Sequence, residues 1–211
     1  MSKIVIDLQR NALDPNVEIL TLLRQAYLIS RKLKLADFEN WVQNELGGYK
    51  EGRIVPKYRE IWGELKAWNP MRGWIPVLIP NDSIHETICK SKIRNSIPNI
   101  LSILKADEGI RLPFHGEMAA MFAEGTGQPT LYELDIPINA VEEIVEIVRT
   151  NILEWSLLLE ENGILGEGLE FSLNEKEQAK QANIVNYVNH FYAAVHNTQL
   201  QQGTLSSEQS K

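Results

Sequence analysis

The strongest hydrophobic pattern in the chain lies between Asn139 and Gly163, where apolar residues recur every three to four positions. That spacing aligns them in one stripe along a helix of about six turns. Because other sides of the same segment are also apolar, we expect this helix to run through the core. Asn139 and Glu142 have the spacing of a capping box, and Gly163 is typical of a left-handed helix end.

Shorter segments with the helical period are predicted along the rest of the chain. Asp14-Pro15 ends the first of them, Gly47-Gly48 ends the third, and Ser172 begins the last. The predicted segments are residues 4–12, 16–33, 37–46, 83–91, 97–105, 117–124 and a helix from about 173.

Between Lys57 and Trp68 the pattern changes to an alternation of period two, which is typical of a half-buried strand. A turn at 69–73 and a second strand at 74–79 complete an antiparallel hairpin, and a third strand is predicted at 132–138. Residues 113–116 are interpreted as a loop. The sequence therefore predicts an α+β fold, a mainly helical single domain with a small antiparallel sheet of about three strands.

Residues 1–183 are expected to form this domain, and residues 184–211 a C-terminal arm. The pattern from 184 to 196 fits either a helix or a strand, and the polar, Gln/Ser-rich end is expected to be disordered. Because the arm is apolar at every second or third position outside the predicted core, we interpret it as an oligomerising or partner-binding segment. Its candidate interface residues are Tyr187, Phe191, Tyr192, Val195, Gln199 and Leu200.

Composition limits the chemistry that can be expected. A single cysteine, Cys89, makes an intramolecular disulfide impossible and is typical of a reducing, cytoplasmic compartment. No segment approaches the roughly 18 uninterrupted apolar residues of a membrane span, and no signal-peptide pattern is present. Since no spacing of histidines, cysteines or carboxylates indicates a ligand set, no metal, cofactor or catalytic residue is predicted.

The formal net charge of −7 is distributed unevenly. Residues 1–132 carry 17 basic and 15 acidic side chains, whereas residues 133–170 carry one basic and ten acidic side chains. The acidic excess therefore surrounds the long helix and predicts a solvated acidic face. Because nothing in the sequence concentrates the basic residues, nucleic acid is not expected as a partner.

One carboxylate lies where an apolar side chain is expected. Glu45 continues the hydrophobic stripe of its predicted helix, so it is expected to be partly buried and to need hydrogen-bond donors. Tyr49, Tyr58, Arg59 and Arg94 are the candidate donors. Two interpretations stay open: a functional site in which Glu45 is a base or ligand contact, or an ion pair that fixes the predicted hairpin to the helices.

Two further patterns leave a choice between core and surface. Trp62, Trp68 and Trp74 crowd the predicted hairpin and belong either to the core or to an exposed aromatic patch. Residues 163–168 have the glycine spacing of a phosphate-binding loop. They follow a helix rather than a strand, however, so anion binding is not predicted there.

Four segments, taken in chain order, resemble a known family. They are DLQRNALD at 7–14, WVQNELGGY at 41–49, YREIWGEL with WIPV at 58–65 and 74–77, and ILEW with NGILGEG at 152–155 and 162–168. Over about residues 2–180 the chain resembles the AbiTii-type abortive-infection domain of bacteria and archaea. The resemblance implies antiphage defence by a toxin or an effector-associated module, and it carries over no catalytic residue.

Two functions remain as hypotheses. In the first, the protein is an antiphage interaction module that assembles with other copies or couples to another defence protein. In the second, it is a toxin enzyme that acts on nucleic acid or nucleotides through the surroundings of Glu45. The module is preferred, because no nucleophile, base and orienting group fall together in the sequence.

Overall fold

The computed structural model of the chain describes residues 2–106 and 109–192. Its helices are α1 (Ile4–Leu13), α2 (Ile19–Leu33), α3 (Ala36–Gly47), α4 (Asp82–Cys89), α5 (Ile97–Lys105), α6 (Gly116–Thr126), α7 (Ile138–Glu161), α8 (Leu173–Gln178), α9 (Ala182–Val185) and α10 (Asn189–Tyr192). Its strands are β1 (Glu60–Trp62), β2 (Glu64–Asn69), β3 (Gly73–Pro76), β4 (Lys90–Lys92), β5 (Ile110–Phe114) and β6 (Tyr132–Ile136). The predicted α+β class, mainly helical with small antiparallel sheets, is confirmed.

The long helix α7 is the element against which α1, α2 and α5 pack. On its inner side the ring of Trp155 stacks on Phe38 of α3, with ring centroids 3.8 Å apart and planes 11° from parallel. Each large apolar side chain removed from water contributes roughly 1.5–3 kcal/mol. The predicted burial of the stripe is confirmed; its buried residues are Val141, Ile144, Val145, Val148, Ile152, Trp155, Ser156 and Leu159.

The start of α7 differs from the prediction, whereas its end agrees with it. The helix begins at Ile138, and Pro137 occupies the N-cap without a side-chain hydrogen bond, so the predicted capping role of Asn139 is wrong. The reason is the short connection: β6 ends at Ile136, and one extended residue leads directly into the helix. At the other end Gly163 has a φ of +71°, the left-handed conformation that terminates a helix.

The segment predicted as one strand from Lys57 to Trp68 is divided. A 3₁₀ turn at Lys57–Arg59 leads into β1, and the chain changes sheets at Gly63 before β2 begins. A Cβ atom at Gly63 would lie 2.7 Å from Cγ of Leu134, so only glycine allows this close approach of the backbone. β1 pairs with β4 in a two-stranded ribbon, and β2 enters a four-stranded sheet of order β3-β2-β6-β5.

Strand β5 includes residues that were predicted to be a loop. Pro113 and Phe114 pair with Glu133 and Tyr132 of β6, so the loop prediction is wrong for these two residues. Pro113 is compatible with the strand because β5 lies at the edge of the sheet, where a missing N–H breaks no ladder.

The start of the predicted arm packs against the domain. Residues 184–192 form the short helices α9 and α10 rather than a strand, and Ile184, Val188 and Phe191 are buried in the common core. The ring of Phe191 lies 4.8 Å from that of Trp41, and the hydroxyl of Tyr187 donates to the backbone oxygen of Asn151 at 3.4 Å. The apolar side chains of residues 184–192 therefore find partners on α3 and α7. The candidate interface residues Val195, Gln199 and Leu200 lie outside the described residues.

Candidate functional site

The buried polar cluster forms where α3 meets the ribbon. Glu45 lies on the inner face of α3, one turn beyond Trp41, and its side chain is fully buried. At the end of α3, Gly48 adopts a φ of +87°, and a Cβ atom there would lie 3.1 Å from the backbone oxygen of Arg94. This positive-φ conformation, which favours glycine, lets the N–H of Tyr49 donate to the same oxygen at 2.9 Å and directs the chain back over Glu45.

The Glu45 carboxylate receives hydrogen bonds from three neighbouring side chains. Its Oε1 atom accepts from the hydroxyl of Tyr49 at 2.7 Å, the hydroxyl of Tyr58 at 2.5 Å and Nε of Arg59 at 3.1 Å. Its Oε2 atom accepts from Nη2 of Arg59, which completes a bidentate ion pair. Bidentate arginine–carboxylate pairs are among the strongest charge-assisted hydrogen bonds, because two N–H groups meet two oxygens in one plane.

The other side of the Arg59 guanidinium is also satisfied. Its Nη1 atom donates to the backbone oxygens of Ile93 at 3.1 Å and Asn95 at 2.8 Å, and the Tyr49 ring lies 4.9 Å from its Cζ atom. Arg59 therefore joins α3 to the chain that follows β4.

Electrostatics at the cluster keep the Arg59 guanidinium charged and the tyrosines neutral. Burial raises the pKa of Tyr58 well above its usual value, and the adjacent Glu45 carboxylate raises it further. Burial and the Glu45 carboxylate also raise the pKa of Tyr49. Burial tends to lower the pKa of Arg59, but the contact with Glu45 more than offsets it and raises the pKa overall.

Four of the five predicted cluster residues come together in this way, and Arg94 does not. Its Nη1 atom donates instead to the backbone oxygens of Lys50 at 3.0 Å and Arg53 at 2.7 Å. Sequence reasoning also missed Trp41, whose Nε1 atom donates to the Tyr58 hydroxyl at 2.8 Å. The signal was present, since Trp41 and Glu45 are four residues apart on one helix and therefore share a face.

This geometry favours a structural role for the cluster over a chemical one. Both charged side chains are completely buried, and the carboxylate already accepts four hydrogen bonds from protein donors. A base must reach the proton that it removes, and an enclosed carboxylate does not touch a ligand in this conformation.

The glycine-rich segment after α7 binds the carboxylate of Glu175, a side chain of the same protein. The N–H groups of Leu165 and Gly166 donate to Oε1 of Glu175 at 3.0 and 2.8 Å. Oε2 of Glu175 accepts from both the N–H and the hydroxyl of Ser172, so the capping box predicted at α8 is confirmed. Burial tends to raise the pKa of Glu175, but these hydrogen bonds lower it overall.

Other candidate groups do not assemble into a catalytic or metal site. Within residues 2–106 and 109–192, no three histidine, cysteine or acidic side chains lie close enough to hold a metal ion. Cys89 is buried, and burial raises the pKa of its thiol, which disfavours the reactive thiolate. Over the same described residues, none of the helices combines the length and the apolar character needed to cross a lipid bilayer.

An exposed apolar surface lies at one end of the four-stranded sheet. Trp68 stands opposite Trp74, with ring centroids 5.5 Å apart in an edge-to-face arrangement. The backbone N–H of Trp68 donates to the backbone oxygen of Leu131 at 2.9 Å. Trp68 is 40% exposed, Leu131 64%, and Met71, in the β2–β3 turn, 94%. We call these four residues the tryptophan end. Trp62 and Trp68 are thus exposed and Trp74 is half-buried, so the three tryptophans of the predicted hairpin lie outside the common core.

A shallow groove of about 450 Å³ adjoins the tryptophan end between α6 and the start of β6. It contains no charged side chain; its lining residues are Ala119, Ala120, Ala123, Pro129, Thr130 and Leu131. Such a groove suits apolar side chains of another protein better than a polar metabolite.

The fold and the cluster thus define a helical α+β domain with a buried ion pair between α3 and the ribbon and an exposed apolar surface at one end of its sheet. The family model AbiTii matches residues 3–184, and the chain belongs to this family. Membership implies a bacterial abortive-infection protein of antiviral defence, as the resemblance had indicated. No curated protein and no solved structure matches the chain.

Proposed function

We propose that the protein serves abortive infection as an interaction module that assembles with a second copy of itself through the tryptophan end. The observation that carries this proposal is the exposed apolar surface formed by Trp68, Met71 and Leu131 beside an uncharged groove. Contiguous exposed apolar surface of this kind is typical of protein-binding sites.

A second copy is the occupant that best fits the shape of this surface. Met71 projects from the β2–β3 turn, while the groove beside Leu131 is lined by small side chains. A two-fold interface needs a projection and a matching recess on one and the same surface, because each subunit offers the same surface to the other. Methionine suits the projecting role, since its flexible, polarisable side chain adapts to irregular recesses.

Charge also favours contact at this end. The chain has a net charge of −7, so two copies repel each other over much of their surface. The residues of the tryptophan end and of the groove are uncharged, and the charged residue of the adjoining β2–β3 turn, Arg72, is basic. Two copies can therefore approach there without bringing acidic side chains of these sets together.

The contact would form through side chains rather than by adding a strand. β3 is an edge strand, and its last residue, Pro76, has no N–H to offer to a new neighbour. Proline on an edge strand protects a sheet against strand pairing.

Light scattering on the purified full chain tests the proposal. We expect a dimer for the wild type and a monomer for Leu131→Glu, because the substitution places a charge in the apolar contact. Leu173→Glu is the matched control, since Leu173 is 83% exposed on α8 and outside the tryptophan end. It should leave the dimer intact.

Phage plating on cells that express the same variants connects assembly with function. Leu131→Glu should lose protection, and Leu173→Glu should keep it, with equal expression and equal melting temperatures. A wild type that stays monomeric at every concentration would contradict self-assembly. If Leu131→Glu nevertheless abolished protection, the surface would instead bind a different protein.

A further inference from the structure

The outer face of the β1–β4 ribbon gathers basic side chains that lie far apart in the sequence. Glu60 stands opposite Lys92, and Trp62 stands opposite Lys90. Lys57, in the preceding 3₁₀ turn, reaches the same face through its ion pair with Glu60. We call these five residues the ribbon face.

Three ammonium groups on the ribbon face share one carboxylate. The Nζ atoms of Lys57, Lys90 and Lys92 lie 3.1, 3.5 and 3.6 Å from the carboxylate oxygens of Glu60. Burial tends to raise the pKa of Glu60, but the lysines lower it overall, so the carboxylate stays ionised. One negative charge cannot neutralise three positive ones, and Glu86, 3.8 Å from Lys90, supplies only one more.

Arg94 links the end of the ribbon to the loop that follows α3. Arg94 follows Lys92 at the next position of the same parity and holds the backbone oxygens of Lys50 and Arg53. The loop it holds contains the basic residues Lys50 and Arg53 and the acidic residue Glu51. The ribbon face itself carries more positive than negative charge, although the chain as a whole is acidic.

An exposed indole lies within this basic surface. Trp62 is 47% exposed, and its ring is stacked on the imidazole of His85, with centroids 5.4 Å apart and planes 18° from parallel. The stack fixes the orientation of the indole. A rigid aromatic plane beside several ammonium groups matches the two parts of a nucleotide, a flat base and an anionic phosphate.

We propose that the ribbon face binds single-stranded nucleic acid, with a base stacked on Trp62 and the adjacent phosphates on Lys90 and Lys92. Single strands are favoured over a duplex because a base inside a duplex does not expose its face for stacking. Each strand of the ribbon has three residues and spans about 10 Å, so the site holds a few nucleotides only.

Binding at the ribbon face does not depend on self-assembly, since the ribbon face and the tryptophan end share no residue. It also revises the expectation from sequence that nucleic acid is not a partner. That expectation depended on the distribution of charge along the chain, whereas pairing of β1 with β4 brings residues near 57 and near 90 together.

Fluorescence anisotropy with a labelled oligo(dT) of about 12 nucleotides at low salt tests the binding. We expect the wild type to bind this strand and Trp62→Ala to bind it about tenfold more weakly. Trp68→Ala is the matched control: it removes an exposed tryptophan from the other surface, so it should leave binding unchanged. In light scattering the effects of the two variants should be reversed: Trp68→Ala should weaken assembly, and Trp62→Ala should leave it unchanged.

Salt dependence tests the phosphate contacts separately. Lys92→Gln should reduce the slope of log affinity against log salt by about 0.7, the value for one contact to a single strand. Lys105→Gln, an exposed lysine at the end of α5, should not change it. Absence of binding by the wild type, equal binding of a duplex, or an unchanged affinity in Trp62→Ala would each overturn the proposal. Inorganic polyphosphate that competed as well as the oligonucleotide would also overturn it, because it has no base to stack.

Discussion

Replacing Glu45 by glutamine tests whether the buried ion pair stabilises the fold. The substitution keeps the size of the side chain but removes its charge, so the guanidinium of Arg59 stays fully buried without a counterion. The amide also offers one acceptor oxygen where the carboxylate has two, and its NH₂ group would face an arginine donor.

The expected loss of unfolding free energy is roughly 3–5 kcal/mol, the usual cost of removing one partner of a buried ion pair. For a domain of this size the melting temperature should fall by roughly 6–20 °C. Urea denaturation followed by circular dichroism measures the free energy, and a thermal melt measures the shift. Glu39→Gln on the same helix is the control, because its partner Arg31 is largely exposed and water screens the pair, so the expected loss is much smaller.

A double variant separates stability from chemistry. In Glu45→Met/Arg59→Met both charges are absent, and replacing a buried ion pair by apolar side chains is often close to neutral for stability. This variant should fold and should still protect cells against phage. A loss below about 1 kcal/mol in Glu45→Gln would refute the structural reasoning, and a stable double variant without protection would show that the cluster has a chemical role.

Two further predictions concern the tyrosines of the cluster and the turn after α7. Burial and Glu45 raise the pKa of Tyr49 and Tyr58 above the value of about 10 in the unfolded chain. The two neutral hydroxyls therefore stabilise the fold fully below about pH 10, and this stabilisation is lost as the pH rises further. In an alkaline titration their tyrosinate absorbance should appear only with unfolding, and its full appearance before the loss of circular dichroism would contradict this. Gly166→Ala should cost about 1–3 kcal/mol more than Gly168→Ala in urea denaturation. Both glycines have positive φ, but only a Cβ at Gly166 would meet Ile4, at 2.8 Å, so equal losses would contradict the packing argument.

Elements specified by local pattern were predictable from the sequence. The burial of α7 follows from apolar residues at helical spacing, and the cap of α8 follows from Ser172 and Glu175 three residues apart. The burial of Glu45 was predictable for the same reason, because its spacing from Trp41 and Val42 places it on the apolar face of the helix. Its tyrosine and arginine partners could be named as candidates, since the predicted hairpin follows the helix closely in the chain.

Contacts between distant segments required the tertiary structure. The alternating pattern from Lys57 to Trp68 does not reveal that Gly63 moves the chain from one sheet to another, because the strand partners are separated by tens of residues. For the same reason the sequence could not show that Arg94 binds backbone oxygens rather than Glu45.

By itself, the sequence determined which residues share a helix or strand face, and with that the α+β class and the buried carboxylate. The tertiary structure decided which faces meet. It folded residues 184–192 onto α3 and α7, exposed Trp62 and Trp68, and collected Lys57, Lys90 and Lys92 around one carboxylate. The physical reason is that periodicity records burial, whereas the partner in a contact is chosen by packing and hydrogen bonds between segments far apart in the chain.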